Sequence, residues 1–128
     1  MDFLEKKRYK LTQINPSTIY ASFSPLLLRG EEVLSAYQTY EDYVIFTNRR
    51  IITMVFERNE DNETKTTFFT LPYSRILYFS IESMDLVECD CLLNLNFYDL
   101  GNIEYEFTGG HNVARLSHII GTNIFNFN

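Results

Sequence analysis

Hydrophobic and polar residues alternate with a period of two along most of the chain between Val33 and Thr108. Such alternation is typical of antiparallel strands with one face toward a core and one toward water. Seven segments follow it, and residues typical of turns separate them. The segments are 33–40, 43–48, 50–57, 65–71, 76–82, 91–98 and 102–108. The pattern therefore predicts a sheet of about seven antiparallel strands.

The end of the chain has a helical pattern instead. Apolar residues recur there at spacings of three and four, at Val113, Leu116, Ile120 and Ile124. This spacing predicts an amphipathic helix that follows an N-cap at Asn112 and ends or bends at Gly121. We expect this helix to cover one open end of the sheet.

The start of the chain is less regular. Residues 17–29 predict one or two short helices, the first capped by Ser17 and the second beginning at Ser24-Pro25, because proline fits the first helical turn. Residues 1–15 have no clear period, which predicts a loosely attached arm. We therefore divide the chain into an N-terminal arm, 1–16, and a single domain, 17–128.

These elements define the predicted fold class. The chain is expected to be mainly β, a sandwich or half-open barrel of about seven antiparallel strands with a C-terminal α-helix. A chain of 128 residues, 45% of them hydrophobic, is long enough to bury a core without disulfides. Aromatic residues reach 16%, which fits the surface of a half-buried sheet.

The charge of the chain limits the classes of partner. A formal net charge of −6 disfavours nucleic-acid binding, which requires a basic face. Four basic residues nevertheless lie within the first ten positions, namely Lys6, Lys7, Arg8 and Lys10. The N-terminus lacks the apolar region of a secretion signal, and no apolar run is long enough to cross a membrane. The expected location is the cytoplasm.

Three blocks of sequence resemble the bacterial pleckstrin-homology-like domain family. They are "LLLRGEEVLSAY", "DYVIFTNRRIITM" and "TLPYSRILYFSIES". The order and spacing of the family blocks are kept over about residues 24–125, and roughly the first 20 residues fall outside the resemblance. The resemblance implies a bent, roughly seven-stranded sandwich with a C-terminal helix. It implies no catalytic residue, and it implies ring-like homo-oligomers formed through exposed sheet edges.

The tetrapeptide "TNRR", Thr47 to Arg50, allows two interpretations. The favoured one is a tight hairpin turn, in which Asn48 takes a left-handed conformation and Thr47 and Asn48 form local hydrogen bonds. The two arginines would then pair with carboxylates such as Glu41 or Asp42. The alternative is an anion site at Arg49 and Arg50, although neighbouring strand side chains point to opposite faces.

The sequence also bears on lipid binding. Eukaryotic relatives that bind phosphoinositides use Lys and Arg in the loop between their first two strands. The equivalent turn here, "TYEDY", contains Glu41 and Asp42 and no base. The basic residues Lys6, Lys7, Arg8 and Lys10 leave a weaker alternative, contact with an anionic membrane surface.

No constellation for catalysis or for a cofactor is recognisable. Cys89 and Cys91 share a strand face, but a zinc site needs about four ligands, and His111 and His118 lie on or near the final helix. The cysteines are therefore interpreted as a buried apolar pair. We expect neither an enzyme nor a bound metal or cofactor.

The sequence thus predicts a non-catalytic binding or scaffold module. Its expected partners are further copies of itself and an unidentified protein, reached through an exposed sheet edge. Residues Leu77, Phe79 and Ile81, in the strand 76–82, are the predicted edge. The alternative is a peripheral membrane or phospholipid adaptor that uses the basic N-terminal arm.

Overall fold

The computed structural model describes residues 8–83, 91–107 and 113–125. Eight strands are present in them: β1 (Arg8–Ile14), β2 (Val33–Thr39), β3 (Asp42–Thr47), β4 (Arg50–Arg58), β5 (Thr64–Pro72), β6 (Ile76–Ser83), β7 (Cys91–Phe97) and β8 (Gly101–Phe107). The helices are α1 (Tyr20–Phe23) and α2 (Val113–Phe125), with single 3-10 turns at Pro16–Thr18, Ser24–Leu26 and Tyr73–Arg75. All seven predicted strands and the C-terminal helix are confirmed, and no strand end differs from its prediction by more than one residue.

The strands form one curled sheet in the order β5-β4-β3-β2-β1-β8-β7-β6. Every neighbouring pair is antiparallel except β1 and β8, which are parallel. The sheet does not close on itself, so β5 and β6 are its two edges. The predicted fold class, a half-open barrel with a C-terminal helix, is confirmed with one additional strand.

Strand β1 is that additional strand, and it corrects the prediction of a loosely attached arm. Tyr9 and Leu11 are each 1% exposed and lie in the main core, whereas Arg8 and Lys10 are exposed. The strand pairs with β2 on one side and β8 on the other, so it joins the two halves of the sheet. The sequence signal for β1 is a period of two that extends over only a few residues within a basic segment.

The main core lies on the inner face of the curled sheet and is rich in aromatic side chains. Phe46 is at its centre, with its ring centroid 5.6 Å from those of both Tyr37 and Tyr105. These edge-to-face contacts are the favourable geometry for aromatic pairs. Ile120 of α2 is fully buried in the same cluster, and Ile124 packs against it. The helix therefore packs on the main core, and Gly121, where the sequence predicted an end or a bend, lies within it.

A second core lies on the outer face of the sheet. Ile19 and Phe23 are buried there against Ile45, Ile52 and other residues of the first strands. The predicted short helices are present as brief helical turns. The residue that caps the first of them differs from the prediction. The side chain of Asn15, not Ser17, accepts the hydrogen bond from the Ser17 backbone N–H at 3.0 Å. Asn112, the predicted cap of α2, lies outside the described residues.

The position of β1 gives the first testable prediction. Replacing Leu11 with Ala should lower the free energy of unfolding by about 2–4 kcal/mol, because a fully buried leucine leaves a cavity in the core. The exposed neighbour Thr12 is the control, and Thr12→Ala should change stability by about 0.5 kcal/mol or less. Urea unfolding measures both. Equal, negligible effects would mean that β1 is a detachable arm.

Candidate functional site

The Glu31 carboxylate lies at the centre of a cluster of hydrogen bonds. Its side chain is fully buried, and it forms a salt bridge with Arg50 at 2.9 Å. One oxygen accepts from the Leu28 N–H and an Arg50 terminal nitrogen, each at 3.0 Å. The other accepts from the Thr47 hydroxyl at 2.7 Å and from Arg50 Nε at 2.9 Å. The carboxylate therefore has four donors, about the number that its lone pairs can accept.

Arg50 is held on several sides by this arrangement. One terminal nitrogen also donates to the Leu26 carbonyl at 2.7 Å, and the other lies 3.4 Å from the Thr70 hydroxyl. The guanidinium thus ties together the segment before β2, the start of β4 and the edge strand β5. Because its donors are used internally, Arg50 is poorly suited to bind an external phosphate.

The tetrapeptide "TNRR" forms the predicted turn between β3 and β4. The Thr47 hydroxyl accepts from the backbone N–H groups of Arg49 and Arg50, both at 3.0 Å. Asn48 accepts from the Glu32 N–H at 2.9 Å and donates to the Gly30 carbonyl at 3.2 Å. The predicted local hydrogen bonding is therefore confirmed for Thr47.

One detail of that prediction is wrong. Asn48 does not adopt the left-handed conformation, which among the described non-glycine residues occurs only at Tyr40 and Asn62. Arg50 pairs with a carboxylate as predicted, and this carboxylate is Glu31 rather than one of the two examples, Glu41 and Asp42. Asp42 is buried and accepts from the Phe56 N–H at 3.4 Å. Arg49 is exposed beside Gly30.

The remaining basic candidates do not form one cluster. Arg8 lies 3.3 Å from carboxylate oxygens of both Glu104 and Glu106 on β8. Lys10 follows on the same face of β1 and is exposed. Lys6 and Lys7 lie outside the described residues. The structure therefore places Arg8 and Lys10 at the middle of the sheet. The Glu31–Arg50 cluster lies elsewhere, at the β3–β4 turn.

The predicted edge residues lie on an edge strand. Leu77 is 57% exposed and Ile81 is 36% exposed. Phe79 is half-buried and packs against the main core. A register shift between Ile76 and Tyr78 places Leu77 in a bulge, so the regular part of the edge begins at Tyr78.

The cysteines and histidines do not come together in the described part of the chain. Cys91 is buried in the main core and is not in a disulfide, whereas Cys89 lies outside the described residues. His118 is exposed on α2, and His111, like Cys89, lies outside the described residues. Across residues 8–83, 91–107 and 113–125, no group of three His, Cys, Asp or Glu side chains is arranged to hold a metal ion.

Among the described residues, two open clefts lie on the outer surface, and the sequence pattern predicted neither. One, of about 670 Å³, is lined mainly by Pro16, Tyr20 and Leu27 with the segment Glu31–Val33. The other, of about 420 Å³, lies where β1 meets the β2–β3 turn. The second cleft depends on β1, which the sequence pattern did not predict as a strand.

The fold is that of a pleckstrin-homology-like domain. The family model for the bacterial PH domain matches residues 2–124, so the chain belongs to that family. The match includes β1, which extends the resemblance beyond the segment that the sequence blocks covered. Proteins with this domain are typically non-catalytic binding modules.

Individual relatives agree with this assignment. The chain is 25% identical to the uncharacterized protein YjqA of Bacillus subtilis (strain 168) over 95 residues, 74% of each chain. A crystal structure of a DUF1696 family protein with a pleckstrin-homology domain from Shewanella loihica has a TM-score of 0.69 at 20% identity, covering 91% of this chain and 99% of that one. A pleckstrin homology domain from Shewanella amazonensis gives 0.58 at 23% identity, covering 88% and 90%. The structures support the fold.

One further observation concerns membranes. Among the described residues, no helix is long and apolar enough to cross a bilayer.

The buried salt bridge gives the second prediction. Glu31→Gln should lower the free energy of unfolding by about 3 kcal/mol, because it leaves the Arg50 charge unpaired in a mostly buried site. The neighbouring Glu32 is exposed and is the matched control, so Glu32→Gln should change stability by about 0.5 kcal/mol or less. Chemical unfolding at neutral pH measures both. Equal effects of the two substitutions would show that the cluster is not structural.

The same carboxylate gives a pH prediction. Burial raises the pKa of Glu31, but hydrogen bonds from Arg50, the Leu28 N–H and Thr47 outweigh burial, so the pKa is lowered overall from its ordinary 4.5. A depressed folded-state pKa stabilises the fold above pH 4.5, and this stabilisation is lost as the pH falls through the folded-state value. Unfolding measured against pH should show a smaller acid-induced loss in Glu31→Gln than in wild type. An unchanged pH profile would contradict this assignment.

Proposed function

We propose that this protein is a non-catalytic interaction module that assembles with further copies of itself through the outer edge of β6. The observation that carries the proposal is the combination of an edge strand with exposed apolar side chains. The family assignment supports a binding role in general. The same proposal includes a separate protein partner that binds to the assembled particle.

The chemistry of the β6 edge suits strand addition. An edge strand presents backbone N–H and C=O groups that a strand of another chain can pair with. Leu77 and Ile81 add apolar surface beside these groups, and Phe79 connects that surface to the core. The protections are modest: the bulge at Leu77 and the single charge of Glu82. A partner strand would satisfy the backbone and cover the side chains together.

The other edge, β5, is better protected. It carries Lys65 and several exposed threonines, and it ends at Pro72, which lacks a backbone N–H. Charge and proline are common means by which natural edge strands avoid pairing. The comparison favours β6 over β5 as the surface that drives association.

The alternative function, a membrane adaptor using the basic N-terminus, has weaker support. Arg8 is within ion-pair distance of Glu104 and Glu106, which reduces the positive charge available to an anionic leaflet. Only Lys10 of the four predicted cations is both described and unpaired. The remaining pair, Lys6 and Lys7, would have to supply most of the attraction.

The self-association proposal predicts a selective effect of charge at the edge. Leu77→Lys combined with Ile81→Lys should reduce the native mass toward that of a monomer, because charges on an edge strand oppose pairing. Leu28→Lys is the matched control, since Leu28 is 58% exposed and lies in the segment before β2 rather than in β6. Light scattering after size exclusion measures the mass, and thermal unfolding verifies folding. An undiminished mass in the folded double variant would rule out the β6 edge as the surface of self-association.

The membrane alternative has its own test. Deleting the N-terminus is unsuitable because Tyr9 belongs to the core, so the charges are better neutralised in a Lys6→Gln, Lys7→Gln variant. We expect wild type and this variant to sediment equally with vesicles of phosphatidylcholine and phosphatidylserine at low salt. Salt-sensitive wild-type binding that the variant loses would support the adaptor function instead.

A further inference from the structure

We infer that the cleft beside α1 binds residues 2–7 of a second copy of this chain. The cleft has a volume of about 670 Å³, within the usual range of binding pockets. It is too small to hold two copies together alone, since a lasting interface buries more than roughly 1,000 Å². The inference therefore rests on the proposed self-association and adds to it a contact that does not involve β6.

The surface of the cleft is mainly apolar. Leu27 and Val33 line it and are only partly buried, although both pack against the second core. Tyr20 also lines it, and the Tyr20 ring contacts the ring of buried Phe23 edge to face, with centroids 5.4 Å apart. Pro16 adds a rigid side chain. A partner's apolar side chain would therefore meet a surface that is already in position, which lowers the entropic cost of binding.

Glu32 gives the cleft its charge. Glu31 lines the cleft as well, but the Glu31 carboxylate is paired with Arg50. The Glu32 side chain is exposed, and its carboxylate forms no ion pair or hydrogen bond with the described part of the chain. None of the described residues that line the cleft is basic. Charge complementarity therefore favours a partner segment in which a cation lies close to apolar side chains.

A segment of this kind precedes β1 in the sequence. Phe3 and Leu4 are apolar, and Lys6 and Lys7 follow them. Phe3 or Leu4 would contact the apolar surface, and one of the two lysines would pair with the free Glu32 carboxylate. The same residues that suggested a membrane contact thus have a complementary surface on this protein.

The reach of the chain favours a second copy over the same molecule. Strand β1 runs from Arg8 to Ile14, and the cleft begins at Pro16, beyond the far end of the strand. Strands of this length span about 20 Å. Phe3 can extend at most about 18 Å from Arg8, even without the turn that would reverse its direction. Phe3 of the same chain therefore falls short of the cleft, whereas Phe3 of a neighbouring copy is not limited in this way.

A labelled peptide tests the contact directly. The probe is an N-acetylated peptide of residues 2–8 with a fluorophore at its C-terminus. It is titrated with the full chain carrying Phe3→Ser and Leu4→Ser, so that the chain's own segment does not compete. We expect saturable binding by fluorescence anisotropy. Tyr20→Ala should weaken this binding about tenfold, because buried aromatic anchors carry much of the affinity of such contacts.

Charge reversal tests the role of Glu32. Glu32→Lys should weaken binding of the native peptide, and a peptide with Lys6→Glu and Lys7→Glu should bind the Glu32→Lys chain more tightly than the unreversed chain. Tyr98→Ala is the matched control for Tyr20→Ala, since Tyr98 is 65% exposed and does not line the cleft. It should leave binding unchanged. Thermal unfolding verifies that each variant is folded.

A disulfide test identifies the copy that supplies the segment. Chains with Leu4→Cys and chains with Ala21→Cys, distinguished by their tags and both carrying Cys89→Ser, are mixed in equal amounts. Cys91 is buried and stays in place. Mild oxidation should link the two kinds of chain into a heterodimer. A disulfide that forms only within a single chain carrying both cysteines would contradict the exchange between copies.

The outcomes separate this inference from the proposed function. Leu77→Lys with Ile81→Lys should leave peptide binding unchanged, because neither residue lines the cleft. Absence of peptide binding, or an equal loss in Tyr20→Ala and Tyr98→Ala, overturns the inference and leaves the β6 edge unaffected. Peptide binding together with an undiminished native mass of the β6 double variant instead supports the cleft contact and rules out the β6 edge.

Discussion

The Glu31–Arg50 salt bridge is the interaction on which the first half of the fold depends. A buried carboxylate is costly unless it is paired and hydrogen-bonded, and Glu31 has four donors from three separate segments. Arg50 in turn reaches the Leu26 carbonyl and the Thr70 side chain. The pair therefore fixes where the N-terminal helical segment enters β2, where β3 turns into β4 and how β5 lies beside them. The residues that first suggested a binding motif are mainly structural.

Strand β1 provides the second constraint, because it connects the two halves of the sheet. It pairs antiparallel with β2 and parallel with β8, and its inward residues Tyr9 and Leu11 join the aromatic core. Tyr9 stacks on Tyr105 with ring centroids 5.5 Å apart. The strand also brings Arg8 and Lys10 to the outer face, where one is paired with glutamates and the other borders a cleft. A segment predicted to be a loosely attached arm thus contributes to both the core and the surface chemistry.

Much of the architecture could be predicted from the sequence because it depends on local periodicity. The alternation in β7 and β8 and the stripe around Ile120 are each contained within a few residues, so single segments reveal them. The partner of Arg50 could not be predicted in this way, since Glu31 is 19 residues away and nearer carboxylates offered equally plausible pairs. The cleft beside Tyr40 depends on the register between Lys10 on β1 and the β2–β3 turn, a contact that no local pattern encodes. Local sequence patterns therefore do not determine the register between distant strands or the choice of ion-pair partners.

Strand β6 is an edge suited to self-association, and the chain belongs to a family of typically non-catalytic binding modules. We therefore propose that the protein works as an assembled particle rather than as a monomer. The most direct test is the native mass of the intact chain, measured by light scattering after size exclusion at low and high salt. The account predicts a stable multimer at both salt concentrations, because backbone pairing and apolar contacts are little screened by ions. A monomer under both conditions would contradict it.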